Sequence, residues 1–139
     1  MITWLLDTGP LVSYLTASEP AHAEVADRLD DFAGQLVATS AVVTEAMHFV
    51  SRAKQGPRLL AELLDATGTR VYDFSRPPDL RAAVSLMERY ADAPMDFADA
   101  TLLLLAEGLQ VGEVLTLDRR GLSTFRTRQG RPLHLVLDD

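Results

Sequence analysis

The sequence predicts an α/β fold: a three-layer α/β/α sandwich around a five-stranded parallel sheet. Two observations carry that expectation. Short apolar runs recur along the chain and alternate with stretches whose apolar residues repeat at helical spacing. Strands separated by helices need crossover connections, which make the strands parallel and place helices on both faces. At 139 residues there is room for one core of normal size, so a single domain over residues 1–139 is expected.

The elements follow in order. Ile2 to Leu6 reads as a buried strand ending at Asp7, with Gly9-Pro10 as the break after it. Ala21, Val25, Leu29 and Phe32 mark a helix over 20–33, with Pro20 in its first turn. Leu36 to Thr39 is a second strand, and Ser40 is the expected N-cap of a helix reaching about Lys54. Gly56-Pro57 opens a further helix striped by Leu59, Leu60, Leu63 and Leu64. Thr69 to Phe74 alternates as a third strand, and Leu80, Ala83, Val84 and Met87 mark the next helix. The helix from Asp96 to Glu107, closed by Gly108, is apolar nearly all round and therefore central. Val114 to Leu117 is a fourth strand ending at Asp118, and Leu133 to Leu137 a fifth. Trp4, Phe32, Phe49 and Phe74 read as core.

Composition narrows the class. Apolar residues at 47% and charged residues at 24% describe a folded globular protein rather than a disordered one. The absence of cysteine excludes disulfides and Cys-based zinc sites and fits a reducing, cytoplasmic setting. The apolar start meets Asp7 without a basic region or cleavage site. The longest apolar run, Leu102 to Ala106, is far short of the roughly 20 residues a membrane helix needs, so no membrane role is expected. The net charge of −7 speaks against a general affinity for phosphate. However, the segment from Arg119 to Arg131 holds Arg119, Arg120, Arg126, Arg128 and Arg131 and no acid. It is either a local guide for a polyanion or a solvated loop.

In an open parallel sheet, sites form outside the carboxyl ends of the strands. Asp7 and Asp118 stand directly after strand-like runs. Glu45, within Val42-Val43-Thr44-Glu45-Ala46-Met47, and Asp96 and Asp99, within Met95-Asp96-Phe97-Ala98-Asp99, open helices at the same edge. Each acid has a plainer reading as a turn residue, a helix cap or a surface acid, but those readings would all have to coincide at one rim. Carboxylates packed together repel unless a proton or a cation intervenes. Oxygen-only donors select hard cations, Mg²⁺ or Mn²⁺, which activate water against a phosphodiester.

The same residues carry a resemblance. Leu5-Leu6-Asp7-Thr8-Gly9-Pro10-Leu11, Thr44-Glu45, Pro94-Met95-Asp96-Phe97-Ala98-Asp99-Ala100 and Leu115-Thr116-Leu117-Asp118-Arg119-Arg120 resemble, in order and interval, the PIN-domain family, most closely its bacterial VapC-like toxin branch. The resemblance implies a five-stranded sandwich and a Mg²⁺- or Mn²⁺-dependent endoribonuclease acting on RNA. It also implies a cognate antitoxin and a homodimer. By motif, Asp7, Glu45, Asp99 and Asp118 would form the acidic centre, with Asp96 accessory and Thr8 and Thr116 at hydroxyl positions common in the family. Relatives often place another acid after the Asp-Arg-Arg segment; here Gly121-Leu122 follows, which favours one resting metal over two.

Other assignments fit less well. A phosphoacceptor receiver domain needs an acidic pair after its first strand and a lysine after its last; the only lysine, Lys54, is on a different element. A haloacid-dehalogenase-type phosphatase needs an aspartate two residues after the first, where Gly9 stands. A DNA substrate or a non-catalytic PIN-like binding module are the remaining alternatives, the latter disfavoured by the intact acids. His22, His48 and His134 show no metal-ligand spacing. The apolar segments Leu11 to Leu15 and Leu59 to Leu64 exceed what a small monomer needs, and are expected to serve partner contacts.

Overall fold

The computed structural model describes all 139 residues. Its sheet contains β1 (Thr3–Leu6), β2 (Gln35–Thr39), β3 (Arg70–Tyr72), β4 (Glu113–Leu115) and β5 (His134–Leu135). All neighbours are parallel, in the order β3-β2-β1-β4-β5. Trp4, Leu5 and Leu6 are all buried, as expected of a central strand covered on both faces. Leu5 lies opposite Val37 on one side and Val114 on the other.

The helices are α1 (Thr8–Leu15), α2 (His22–Asp31), α3 (Ser40–Val50), α4 (Gly56–Ala66), α5 (Pro77–Arg89), α6 (Phe97–Leu109) and α7 (Arg119–Thr124), with a closing 3-10 turn at Val136–Asp138. Ala98 and every residue from Ala100 to Ala106 are buried, so α6 is the central helix its composition predicts. A cluster of 29 buried apolar residues runs through the sheet and these helices. No helix is long and apolar enough to cross a membrane.

The strand order explains where a site can form. The chain winds outward from β1 to β2 and β3, then crosses back to place β4 on the other side of β1. The loops after β1 and β4 therefore diverge and leave a crevice at their carboxyl ends.

Several local expectations are corrected. Thr8-Gly9-Pro10 does not break the chain but forms the first turn of α1, where proline is tolerated because its missing N–H would be unpaired anyway. Thr39, not Ser40, caps α3: its hydroxyl accepts from the Val42 N–H at 3.2 Å. The helix ends at Val50, and Lys54 lies in the following turn. Gly108 is inside α6, and Gln110 takes the left-handed closing position at φ 55°. The third, fourth and fifth strands are shorter than their apolar patterns suggest: β3 ends opposite Thr39, the last residue of β2, β4 ends opposite Leu6, the last residue of β1, and β5 gives way to the 3-10 turn at Val136. Phe49 is 62% exposed and belongs to no core. Leu11 and Leu60 are fully buried, because α1 packs against α2, α3 and α4. Most of the apolar surface assigned to partners is thus used within the fold.

Candidate functional site

Asp7 stands where β1 ends and is built into three elements. Its backbone N–H donates to the Leu115 carbonyl at 3.0 Å, continuing the β1–β4 ladder. Its carboxylate caps α1, with Oδ1 accepting from the Thr8 N–H at 2.8 Å. Oδ2 accepts from the Thr116 hydroxyl at 2.7 Å. The Thr116 oxygen in turn accepts from the Asp118 N–H at 2.9 Å. A fully buried threonine thus ties the first acid to the segment carrying the last. Two short polar side chains meet across the crevice because β1 and β4 are direct neighbours.

Asp96 and Asp99 form a reciprocal cap on α6. Asp96 Oδ1 accepts from the Asp99 N–H at 2.8 Å, and Asp99 Oδ2 accepts from the Asp96 N–H at 3.2 Å. Asp118 caps α7 through the Gly121 N–H at 3.0 Å. Gly121 is required there by close approach: a Cβ would lie 2.4 Å from Asp118 Oδ2. Asp7, Asp96, Asp99 and Asp118 therefore each have a structural role at a helix start, as the plainer capping readings expect.

These acids gather. Asp7, Glu45, Asp96, Asp99 and Asp118, with Thr8, line one open cavity of about 490 Å³ at the carboxyl edge of the sheet. Glu19, an exposed acid in the turn before α2 that sequence reading missed, lines it too. Its signal was weak, since Ser18-Glu19-Pro20 looks like an ordinary polar turn. No three acidic or histidine side chains close into a tight ligand cluster; the acids form a bowl, with Asp96, Asp99 and Asp118 held back by their capping bonds.

Electrostatics mark the bowl. Burial pushes the Asp7 carboxyl above its ordinary value; the Thr116 and Thr8 bonds oppose the shift, and Glu45 and Asp118 add to it. Asp99 is pushed up to about 8, first by burial and then by the charges of Asp96 and Asp7. Nothing basic lines the cavity to offset them. The Thr8 hydroxyl is buried on this wall without any hydrogen-bond partner, an uncompensated polar atom of the kind that calls for a ligand. An all-oxygen donor set, unrelieved negative charge and an orphaned hydroxyl together fit a hard divalent cation.

The arginines are placed elsewhere. Arg119 pairs with Asp138 at 2.8 Å and Glu24 at 3.3 Å. Arg126 donates to the carbonyls of Ser123, Thr124 and Phe125. Arg128 grips Glu107 at 2.7 Å, near the far end of α6 from Asp96 and Asp99. Three of the four arginines expected to meet substrate are thus engaged in holding the C-terminal segment, Arg119 and Arg128 through acids distant in sequence and Arg126 through carbonyls of its own segment. Arg120 alone of the four makes no ion pair or side-chain hydrogen bond, and it too lies outside the acidic cavity.

Known proteins bear on this geometry. A family model described as the PIN domain matches residues 4–126. Ribonuclease VapC26 of Mycobacterium tuberculosis is 31% identical over 124 residues, covering 88% of this chain and 91% of that protein. Two solved structures share the fold. One is M. tuberculosis VapC20, described as a sarcin-ricin loop cleaving toxin, with a TM-score of 0.75 at 15% identity over 84% of this chain and 90% of that one. The other is FitAcB from Neisseria gonorrhoeae, with a TM-score of 0.58 at 23% identity over 86% and 88%.

Proposed function

The chain belongs to the PIN domain family, and from that premise we propose that it is a metal-dependent endoribonuclease, the toxin of a toxin–antitoxin pair. The observation that carries the proposal is the gathering of six carboxylates, from five separated stretches of sequence, in one cavity at the β1–β4 crevice. The ribonuclease relative, similar along nearly its whole length, supports RNA as the substrate.

Asp7, Asp99 and Asp118, with Asp96, are the residues that would hold Mg²⁺ or Mn²⁺, and Glu45 completes the acidic wall. Such an ion, when bound, supplies charge neutralisation at the phosphodiester and makes a coordinated water more acidic. The chain's own residues supply position. Thr116 fixes the Asp7 carboxylate against β4 and orients the start of the Asp118 loop. The Asp96–Asp99 cap locks two acids at the first turn of α6. Glu45 stands across the cavity, where it can take a proton from an attacking water. The Thr8 hydroxyl, lacking any partner in the protein, is free to donate to a phosphate oxygen.

A cognate antitoxin protein is the partner this assignment brings, supported by the toxin among the structural relatives; homodimerisation and a cytoplasmic location accompany it. The deciding experiment is incubation of the purified protein with total RNA and Mg²⁺ or Mn²⁺, beside an EDTA control. Cuts that need metal and vanish in Asp7→Asn and Asp99→Asn support the proposal. Cleavage persisting in both variants overturns the assignment of the site.

A further inference from the structure

Beside the acidic bowl lies a second, larger cavity of about 690 Å³, within the range of small-molecule sites of about 300–1,000 Å³. The two share Glu45 and Asp96 as a common wall. Its floor is unlike the bowl's. Phe74 and Phe97 are half-buried, packed on the core while also lining the cavity, together with Ala41 and Ala98. Asp73, just after β3 and next to Phe74 in the chain, lines the same cavity. Its Oδ1 accepts from the Ser40 hydroxyl at 2.7 Å and its Oδ2 from the Ser75 hydroxyl at 2.6 Å. The two serines fix the carboxylate's orientation and hold its carboxyl below the ordinary range, and each oxygen keeps a lone pair for another donor.

We propose that this cavity is a nucleobase subsite for the base flanking the cleaved phosphodiester, with Phe74 and Phe97 as the stacking surface and Asp73 as the reader of a guanine Watson–Crick edge. The inference rests on the RNA-cleavage reading above and adds the specificity that reading lacks. The lining contains three carboxylates, Glu45, Asp73 and Asp96, against one histidine, His48, and no lysine or arginine, so it disfavours phosphate and favours a group that donates hydrogen bonds. RNA is read mainly through unpaired bases stacked on aromatic side chains and bonded along their edges. A fixed carboxylate presents two parallel acceptors. Guanine alone offers two adjacent donors, N1–H and N2–H₂, to match them. Adenine and cytosine each offer one donor beside an acceptor, and uracil's single N–H is flanked by two carbonyls that the carboxylate repels. The shared wall means that a strand whose backbone crosses the acidic bowl can set the neighbouring base in this cavity.

The test has a binding arm and a cleavage arm. Guanosine, adenosine, cytidine and uridine are titrated into the metal-free protein and followed by backbone amide NMR. Guanosine should move the amides of Asp73 to Ser75 and Phe97 and bind at least about tenfold tighter than uridine, the discrimination one bidentate base contact provides. Asp73→Asn, which replaces one acceptor by a donor, should bring the two nucleosides within about twofold of each other. In the cleavage arm, short RNAs differing only in the bases on either side of the cut are compared in single turnover. Guanine on one side should be preferred about tenfold, and Asp73→Asn should abolish that preference. Equal binding of guanosine and uridine, together with a cleavage preference that Asp73→Asn leaves intact, overturns the subsite while the nuclease reading stands. Asp73-dependent guanosine binding by a protein that cuts no RNA leaves the subsite standing and removes the nuclease reading instead.

Discussion

Asp99→Asn should make the metal-free protein more stable, not less, and only at high pH. Asp99 titrates near 8 in the folded chain against an ordinary 3.8, so the folded state binds its proton more tightly than the unfolded state does. Below pH 3.8 both states are protonated and the position is neutral with respect to pH. Stability falls as pH rises through that interval, and the full penalty is present above pH 8. At about 1.4 kcal/mol per pH unit the shift would cost more than about 5 kcal/mol in a sealed site. Asp99 opens on a solvent-filled cavity, where screening reduces the penalty to about 2 kcal/mol, or a melting-temperature difference of about 6 °C for a domain of this size. Asparagine keeps an oxygen to accept from the Asp96 N–H, so the cap on α6 survives while the charge goes. The assay is thermal unfolding in EDTA at about pH 3.5, below the unfolded-state value, and at pH 8.5. The variant should match the wild type at the lower pH and exceed it by about 6 °C at the higher. Added Mn²⁺ should raise the wild type at pH 8.5 and leave the variant nearly unmoved. A variant no more stable than wild type at pH 8.5 would refute the reasoning, because the crowding of Asp99 by Asp96 and Asp7 would then carry no free energy.

Thr116→Val should destabilise the protein by about 1–3 kcal/mol in urea unfolding, because it strips a buried carboxylate of its hydroxyl donor, and Mn²⁺ affinity by calorimetry should fall with it. Gly121→Ala should lower the unfolding free energy by about 1 kcal/mol, the cost of a weakened N-cap, and reduce RNA cleavage at least tenfold, on the order of one lost transition-state contact, since a Cβ there displaces the Asp118 carboxylate; unchanged cleavage would show that this carboxylate does not act from its capped position. Arg128→Ala should cost about 1 kcal/mol of stability through its bond to Glu107 while leaving the salt dependence of RNA binding unaltered; a shallower slope by about one would return Arg128 to the substrate.

The layering of strands and helices was legible because period and punctuation are local: Trp4-Leu5-Leu6 can only be a strand buried on both faces, and Leu102 to Ala106 can only be a central helix segment. The acids were legible for a related reason. Asp7 and Asp118 follow apolar runs and Asp96 and Asp99 open one, so knowing where the runs begin and end is nearly knowing where these acids lie. What could not be read depends on pairing across the fold. The basic stretch looked free because its partners Glu24, Glu107 and Asp138 are distant in sequence or lie beyond it, and nothing local announces them. Phe49 follows the apolar pattern of α3 yet stands exposed at the rim of the acidic cavity, because no element covers that turn. Strand lengths failed similarly, since β5 gives way to the 3-10 turn at Val136 although β4 runs on to Leu115.

The acidic edge sets stability against activity in a way that the local bonds make specific. Every one of Asp7, Asp96, Asp99 and Asp118 caps a helix, and helix N-termini favour a carboxylate; taken one by one, these residues stabilise the chain. Brought to one crevice by the order of the strands, they add to the burial that pushes the Asp7 and Asp99 carboxyls up, beside a Thr8 hydroxyl that has no partner. Replacing an acid by its amide would keep the cap and remove the repulsion, so selection for stability alone would favour asparagine at these positions. Under the proposed function, a divalent cation held by these aspartates would offset that repulsion, since an all-oxygen site accepts such an ion. On that account stability and metal affinity should move in opposite directions across a series of Asp→Asn variants, and a variant that lost both would point to structural capping alone at its position.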